Sequence, residues 1–405
     1  MKKFLALMLA LAMSLSLAAC GGNKETPPAG DGTPGGDAEP EASAYSVAMI
    51  TDYGDITDES FNQTTYEACK EYCEANGIPF NYFKPAGDST AERVAMIEKA
   101  ADEGYNIMVM PGFAFGGAVV EAAPDYPDVK FVVLDVSKGD YLEAGVAAAG
   151  ESYDYNPDNW DLSKYADLSN VYTMIYQEEL CGYMAGYAAV KLGYTHLGFL
   201  GGMAVPAVVR YGYGFVQGAD AAAADAGADV TVEYVYGNQF SGDADITAYM
   251  DNWYQTLGVQ AVFACGGSIY TSAAEAAAKV DGAKVIGVDV DQAAIIDAYG
   301  EGMTITSAMK GLASSTKDAL AQIIEQDNWS ALAGQIANLG LVSGDDPTAN
   351  FVQLPMETTQ WGDGFTQDDY KALVKAMYDG TVTVSNDTSA MPAAAITVND
   401  HGSIK

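Results

Sequence analysis

The chain has 405 residues, with 55 Asp and Glu against 19 Lys and Arg and two histidines, for a formal net charge of −36. Nucleic acid is excluded as a partner by that balance, because phosphate backbones are bound through clustered Lys and Arg. His196 and His401 are too few and too far apart in sequence for a His-rich metal cluster, and they supply classical Ser-His or Cys-His hydrolase chemistry poorly. With 49% apolar residues, the length is enough for two or three globular domains.

Met1-Lys2-Lys3 and the apolar run that follows are too short to span a bilayer of about 20 residues and read as a secretory signal peptide over residues 1–19. The run ends in Leu17-Ala18-Ala19-Cys20-Gly21. Small residues ahead of a cysteine resemble the bacterial lipobox, which implies that Cys20 carries lipid and becomes the mature N-terminus. Cleavage would remove Lys2 and Lys3 and no acid, moving the net charge from −36 to −38. Residues 20–44, rich in Gly, Pro, Ala and acids, read as a lipid-anchored flexible tether. Cys69 and Cys73 stand i, i+4 on an expected helix, but with no second Cys or His pair they read, like Cys181 and Cys265, as small buried side chains.

From Tyr45 onward, apolar runs alternate with helical stretches, the pattern of a parallel sheet covered by helices. Strands are expected to begin near Val47, Ile78, Ile107 and Lys130, and again near Leu197, Val230, Ala261 and Lys284. The spacings are 31, 29 and 23 residues in the first set and 33, 31 and 23 in the second. Two α/β lobes of one design follow, with helices expected over 62–76, 90–104 and 272–280 among others. Residues 151–168, polar and aromatic, read as an insertion.

Ligands of such sheets bind outside the carboxyl ends of the parallel strands. Those ends carry Asp52, Pro111-Gly112-Phe113 and Asp135 in the first lobe, and Gly201-Gly202-Met203, Gly266-Gly267-Ser268 and Asp289-Val290-Asp291 in the second. Glycines admit close backbone approach and carboxylates accept from hydroxyls, a set suited to a neutral polyhydroxyl ligand. Any one of these aspartates also reads as a helix N-cap. Neither a P-loop nor a G-x-S-x-G elbow occurs, and no cofactor or metal is called for.

Residues 51–63, TDYGDITDESFNQ, closely resemble the opening motif of the basic membrane protein family of nucleoside-binding lipoproteins. Further similar motifs follow in order: Gln177-Glu178-Glu179 with GYMAGYAA from Gly182, GFLGGM from Gly198, the stretch from Tyr211 through Phe215 to Gly218, VIGVDVDQ from Val285, and Met309-Lys310-Gly311. The resemblance spans residues 47–341. It implies the type I periplasmic-binding-protein fold, two Rossmann-like lobes with parallel sheets joined by a hinge. By this reading the N-terminal lobe takes 45–174 plus about 311–330, and the C-terminal lobe 175–310 plus about 331–405.

The resemblance further implies a lipid-anchored receptor on the extracytoplasmic face of the cell membrane, acting as a monomer and passing purine nucleosides to an ABC permease and its ATPase subunits. Phe61 would stack on one face of the base and Tyr211, where the family usually has Phe, on the other. Asp52, Asp135 and Asp289 would accept from ribose hydroxyls or base N–H groups, and Lys310 would donate near the hinge; Asn62 and Gly267 complete the implied set. Alternatives are the same fold binding a pentose or other small solute, a surface nucleosidase, or an adhesive lipoprotein. Phe61 as a core residue and Lys310 as a surface lysine are the plainer readings of those two side chains.

Overall fold

The computed structural model of the chain describes residues 43–405. The expected signal peptide, Cys20 and residues 20–42 of the expected tether lie outside them. Thirteen strands occur in chain order among the described residues: β1 Val47–Ile50, β2 Phe80–Phe83, β3 Ile107–Pro111, β4 Lys130–Leu134, β5 Val171–Tyr176, β6 His196–Gly201, β7 Thr231–Tyr236, β8 Ala261–Cys265, β9 Lys284–Asp289, β10 Thr304–Lys310, β11 Ile336–Leu339, β12 Val352–Gln353 and β13 Thr397–Ser403.

They form two sheets, ordered β11-β5-β4-β3-β1-β2 and β12-β10-β9-β8-β6-β7-β13. All neighbours are parallel except β12, which runs antiparallel to β10. Within each sheet five strands repeat one order, β2-β1-β3-β4-β5 and β7-β6-β8-β9-β10, so the duplication legible in the spacing is a duplication of topology. β1, β3 and β8 are buried at every residue, as expected for strands covered on both faces.

Helices follow the strands. The helix Phe61–Asn76 is ended by Gly77, whose φ of 64° gives the left-handed turn that closes the last carbonyls. At its start the Asp58 carboxylate accepts the backbone N–H groups of Ser60, Asn62 and Gln63, each at 3.0 Å. Glu178–Lys191 and Pro206–Ala226 pack almost backbone to backbone. A Cβ at Gly182 would lie 2.2 Å from the Tyr211 carbonyl oxygen, and one at Gly218 2.0 Å from that of Tyr183. The GYMAGYAA stretch is therefore a packing surface that brings Glu178 beside Arg210 and seats Tyr211.

The chain crosses between sheets three times: after Tyr176, at Gly311, and between Leu339 and Val352. The crossings are joined by backbone hydrogen bonds, from Gln177 to Leu339 at 2.9 Å, from Gly311 to Phe351 at 2.7 Å and from Phe351 to Gly340 at 3.0 Å. β11 lies in the first sheet beside β5, although residues from 331 onward were expected in the second lobe. The return to the first lobe thus runs past 330, because Ile336–Leu339 completes that sheet's edge. The C-terminal segment closes the opposite edge of the second sheet, with β13 parallel to β7.

Residues 151–168 form two short turns packed on the helix Lys138–Ala148, with Tyr165 against Gly145 and Trp160 between Tyr153 and Tyr165. Cys69, Cys73, Cys181 and Cys265 are buried free thiols. Among the described residues no helix is long and apolar enough to cross a membrane.

Candidate functional site

In each sheet the strand order reverses between its first and third strands, and the crevice outside their carboxyl ends is where doubly wound sheets bind ligands. A cavity of about 650 Å³ opens there between the lobes. All eight residues singled out from sequence line it: Asp52, Phe61, Asn62, Asp135, Tyr211, Gly267, Asp289 and Lys310. Its volume is within the range usual for small-molecule sites.

On the first lobe Asp52 follows β1. One oxygen accepts the backbone N–H groups of Tyr53 at 2.6 Å and Gly54 at 2.8 Å. The other faces Gly112 at the end of β3, where a Cβ would come within 2.7 Å of it. Gly112 has a φ of 127°, a conformation that side chains disfavour, so glycine serves twice at this position. Burial pushes the Asp52 carboxyl above its usual range against the pull of the two amides. Asn62 donates to Asp58 at 3.2 Å, and its carbonyl oxygen is buried with no partner among the described residues.

Lys310 closes β10, and its ammonium is surrounded by carboxylates. It pairs with Asp135 and stands 3.5 Å from Glu178 and 3.6 Å from Asp289. It also lies over the Phe61 ring at 4.6 Å from the centroid, a cation–π distance. Burial alone would lower the Lys310 pKa, but Asp135, Asp289 and Glu178 outweigh it and hold the ammonium firmly protonated. Burial raises Asp135 to about 6, the charges of Glu178 and Asp289 adding to the rise and Lys310 opposing it. Asp135 Oδ1 is buried without a hydrogen-bond partner among the described residues, so it is available to a ligand donor.

Asp289 accepts from Ser60 at 2.7 Å across the cleft and from the Tyr211 hydroxyl at 3.4 Å. Tyr211 is 1% exposed, with its ring edge-on to Phe263 at 5.9 Å. Its hydroxyl therefore has a partner, but little of its ring is open. Phe113 and Phe240 also line the cavity, and sequence reasoning passed over both as site residues. Phe113 stood at a strand end already marked. Phe240 lies beyond the end of β7, where Gly237-Asn238-Gln239 offers no aspartate to mark the site, and three glycines make room for it. A Cβ at Gly202 or Gly266 would fall 2.4 or 2.7 Å from its ring, and one at Gly267 2.5 Å from its carbonyl oxygen. Residues 151–168 do not line this cavity. Among the described residues no group of three His, Cys, Asp or Glu side chains is arranged to hold a metal ion.

Two lobes, matched strand ends and an inter-lobe cavity define a solute-binding protein. Residues 45–344 match the family described as "ABC transporter substrate-binding protein PnrA-like", and the chain belongs to that family, one of solute-binding proteins and not of enzymes. Among curated relatives, the "ABC transporter nucleoside-binding protein BmpA" of Lactococcus lactis subsp. cremoris is 26% identical over 61% of this chain and 64% of its own length. "Basic membrane protein B" of Borreliella afzelii is 24% identical over 76% of this chain and 81% of its own length. Among solved structures, an ABC transporter solute-binding protein from Conexibacter woesei superposes with a TM-score of 0.60 at 21% identity, covering 85% of this chain and 99% of that one.

Proposed function

We propose that the chain binds purine nucleosides in the inter-lobe cavity and delivers them to an ABC permease driven by its ATPase subunits, while anchored by lipid at Cys20 to the outer face of the cell membrane. The observation that carries the ligand class is the combination of Phe61 with an acid-lined floor: Asp52, Asp135 and Asp289 beside one fully committed cation, Lys310. A purine has apolar faces that stack on rings, and stacking contributes about 1–3 kcal/mol per base. Ribose hydroxyls are donors, and bonds to ionised carboxylates are the stronger class. The fixed ring of Phe240 on the second lobe is better exposed than Tyr211 to receive the second face of the base.

The same carboxylates repel a phosphate, so nucleosides are favoured over nucleotides. The name of the Lactococcus relative agrees with this ligand class. A thermal-shift panel of nucleosides, bases, pentoses and amino acids tests the reading, since a ligand that binds only the folded chain raises its melting temperature by mass action. Inosine and guanosine should stabilise, and calorimetry should find inosine tighter than its monophosphate. Stabilisation by pentoses alone, or a tighter monophosphate, would overturn the assignment.

A further inference from the structure

Two charged side chains flank the crossings on which the lobes turn. Glu178 is the first residue of the helix after the first crossing, and Lys310 is the last residue of β10 before the second. Their side chains are 0% and 3% exposed, and Glu178 Oε1 lies 3.5 Å from the ammonium. Glu178 Oε2 accepts from Arg210 Nε at 2.7 Å, and Arg210 immediately precedes Tyr211 on the facing helix. Neither Glu178 nor Arg210 lines the cavity.

A lysine ammonium is a point charge on a flexible stem, and its direction must be set by what surrounds it. Here it faces Asp135 at the strand end of one lobe and Asp289 at the matching end of the other, with Glu178 as the third carboxylate beside it. We propose that Glu178 and Arg210 are a positioning pair: Arg210 orients Glu178, and Glu178 holds Lys310 between the two ligand-facing aspartates, tying the charges of the cleft to the hinge. Substrate touches neither member of the pair.

The groups packed around this point are Asp135 and Asp289, with Glu179 beside the pair and the Phe61, Tyr176 and Tyr211 rings 4.6, 5.4 and 5.7 Å from the ammonium. Glu178 pushes the Asp135 carboxyl up, whereas Arg210 draws stabilisation from that same carboxylate. Removing their charges alone would move Asp135 in opposite directions, but misplacing Lys310, the largest influence holding Asp135 down, moves it up in both variants. A purely electrostatic role gives opposite shifts, and a positioning role gives an upward shift in both.

The inference takes its ligand from the nucleoside reading. Inosine affinity is measured by calorimetry from pH 5 to 8 on the parent chain, Glu178→Gln, Arg210→Gln and the double variant. Each single variant should bind about tenfold more weakly at pH 7, and the double no more weakly than either, as for coupled neighbours. The acid limb of binding should move to higher pH in both single variants. Parent-like affinity in both, additive losses, or an acid limb moved to lower pH in Glu178→Gln would overturn the proposal. If Glu178→Gln does not fold, Glu178→Asp, which keeps the charge but shortens its reach, decides: its limb should move to higher pH, and a parent-like limb would overturn the proposal.

If the parent binds no inosine, the nucleoside reading fails by itself. The positioning pair is then judged on the pH dependence of melting of the unliganded chain, in a Glu179→Gln background that removes the neighbouring carboxyl raised to about 7. An acid whose pKa is raised in the folded state loses stability as pH rises from its unfolded toward its folded value. For Asp135 that window lies between 3.8 and about 6. Its upper edge should rise with both Glu178→Gln and Arg210→Gln, and an edge that stays or falls with Glu178→Gln would overturn the pairing.

Discussion

Asp135 and Asp289 are one residue of a duplicated design. Each stands where the fourth strand of its lobe ends, and each has a positive φ, 61° and 64° respectively. That conformation is uncommon for any residue but glycine, is more accessible to Asp than to most others, and when held by its surroundings often marks a functional position. Each also reaches to the other lobe, Asp135 to Lys310 and Asp289 to Ser60 at 2.7 Å. The groups proposed to receive the ligand thus also join the lobes.

Ligand binding should strengthen as pH rises through about 6, the value to which burial first, and then Glu178 and Asp289, raise Asp135. Only the ionised carboxylate accepts from a ribose hydroxyl with both oxygens and pairs with Lys310. Below that pH, binding competes with one proton, so inosine should bind about tenfold more weakly at pH 5 than the plateau value. Calorimetry across pH checks this. In Asp135→Asn the limb should vanish, and an unchanged limb would assign the proton to another group.

Much of this arrangement was legible in the sequence, for a physical reason. Strands of a parallel sheet are buried on both faces and appear as continuous apolar runs, so all eight expected strands lie within two residues of their expected starts. Their ends located Asp52, Asp135 and Asp289 without knowledge of tertiary contacts. β11 escaped because Ile336–Leu339 sits at a sheet edge and is only partly buried, with polar Asn338 in its middle. β13, TVNDHGS, has no apolar run at all and is held by pairing to β7. The Glu178–Arg210–Lys310 group was invisible because its members come together only through the crossings and the glycine-lined helix pair.

The two aromatic candidates of the second lobe separate by substitution. Tyr211→Phe keeps the ring and removes a hydroxyl 3.4 Å from Asp289, so inosine affinity should change by less than about threefold, as for a long hydrogen bond. Phe61→Ala and Phe240→Ala each remove an available face and should each cost about 1–3 kcal/mol of binding. Gly266→Ala reaches the same wall indirectly. At a φ of 131°, with its Cβ 2.7 Å from the Phe240 ring, alanine strains the backbone and displaces the ring. A stability loss of about 1–3 kcal/mol with weaker inosine binding is expected, read from denaturant midpoints and calorimetry. Tight binding retained in Phe240→Ala would return the second face to Tyr211.

Anchoring is tested apart from binding. If Cys20 is the lipidated residue, Cys20→Ala expressed in a bacterial host should incorporate no labelled fatty acid and move from the membrane to the soluble extracytoplasmic fraction. Inosine affinity should not change, because the cavity is built wholly from residues after 50. Retention of the variant in the membrane would point to a different anchor.

The final prediction concerns the two histidines, which find a common partner far from the cavity. Glu233 on β7 is 4% exposed and accepts from Asn399 at 3.0 Å, while His196 lies 3.0 Å and His401 2.5 Å from its carboxylate oxygens. Two of the three partners come from β13, so this buried carboxylate fastens the C-terminal strand to the sheet. Burial alone would raise Glu233, but the bonds from His401, His196 and Asn399 outweigh it and hold the carboxyl below its usual value. An acid lowered in the folded state adds stability above its unfolded pKa, which is lost as pH falls through the folded value. Stability from this group should therefore be complete above the unfolded value of 4.5 and decline below it. Glu233→Ala leaves His196, Asn399 and His401, which water can still reach, without their acceptor and should cost about 1.5 kcal/mol. The loss should appear as a lower denaturant midpoint and faster hydrogen exchange in residues 397–403, with inosine affinity unchanged. Exchange there at the parent rate would show that β13 is held by its backbone pairing alone.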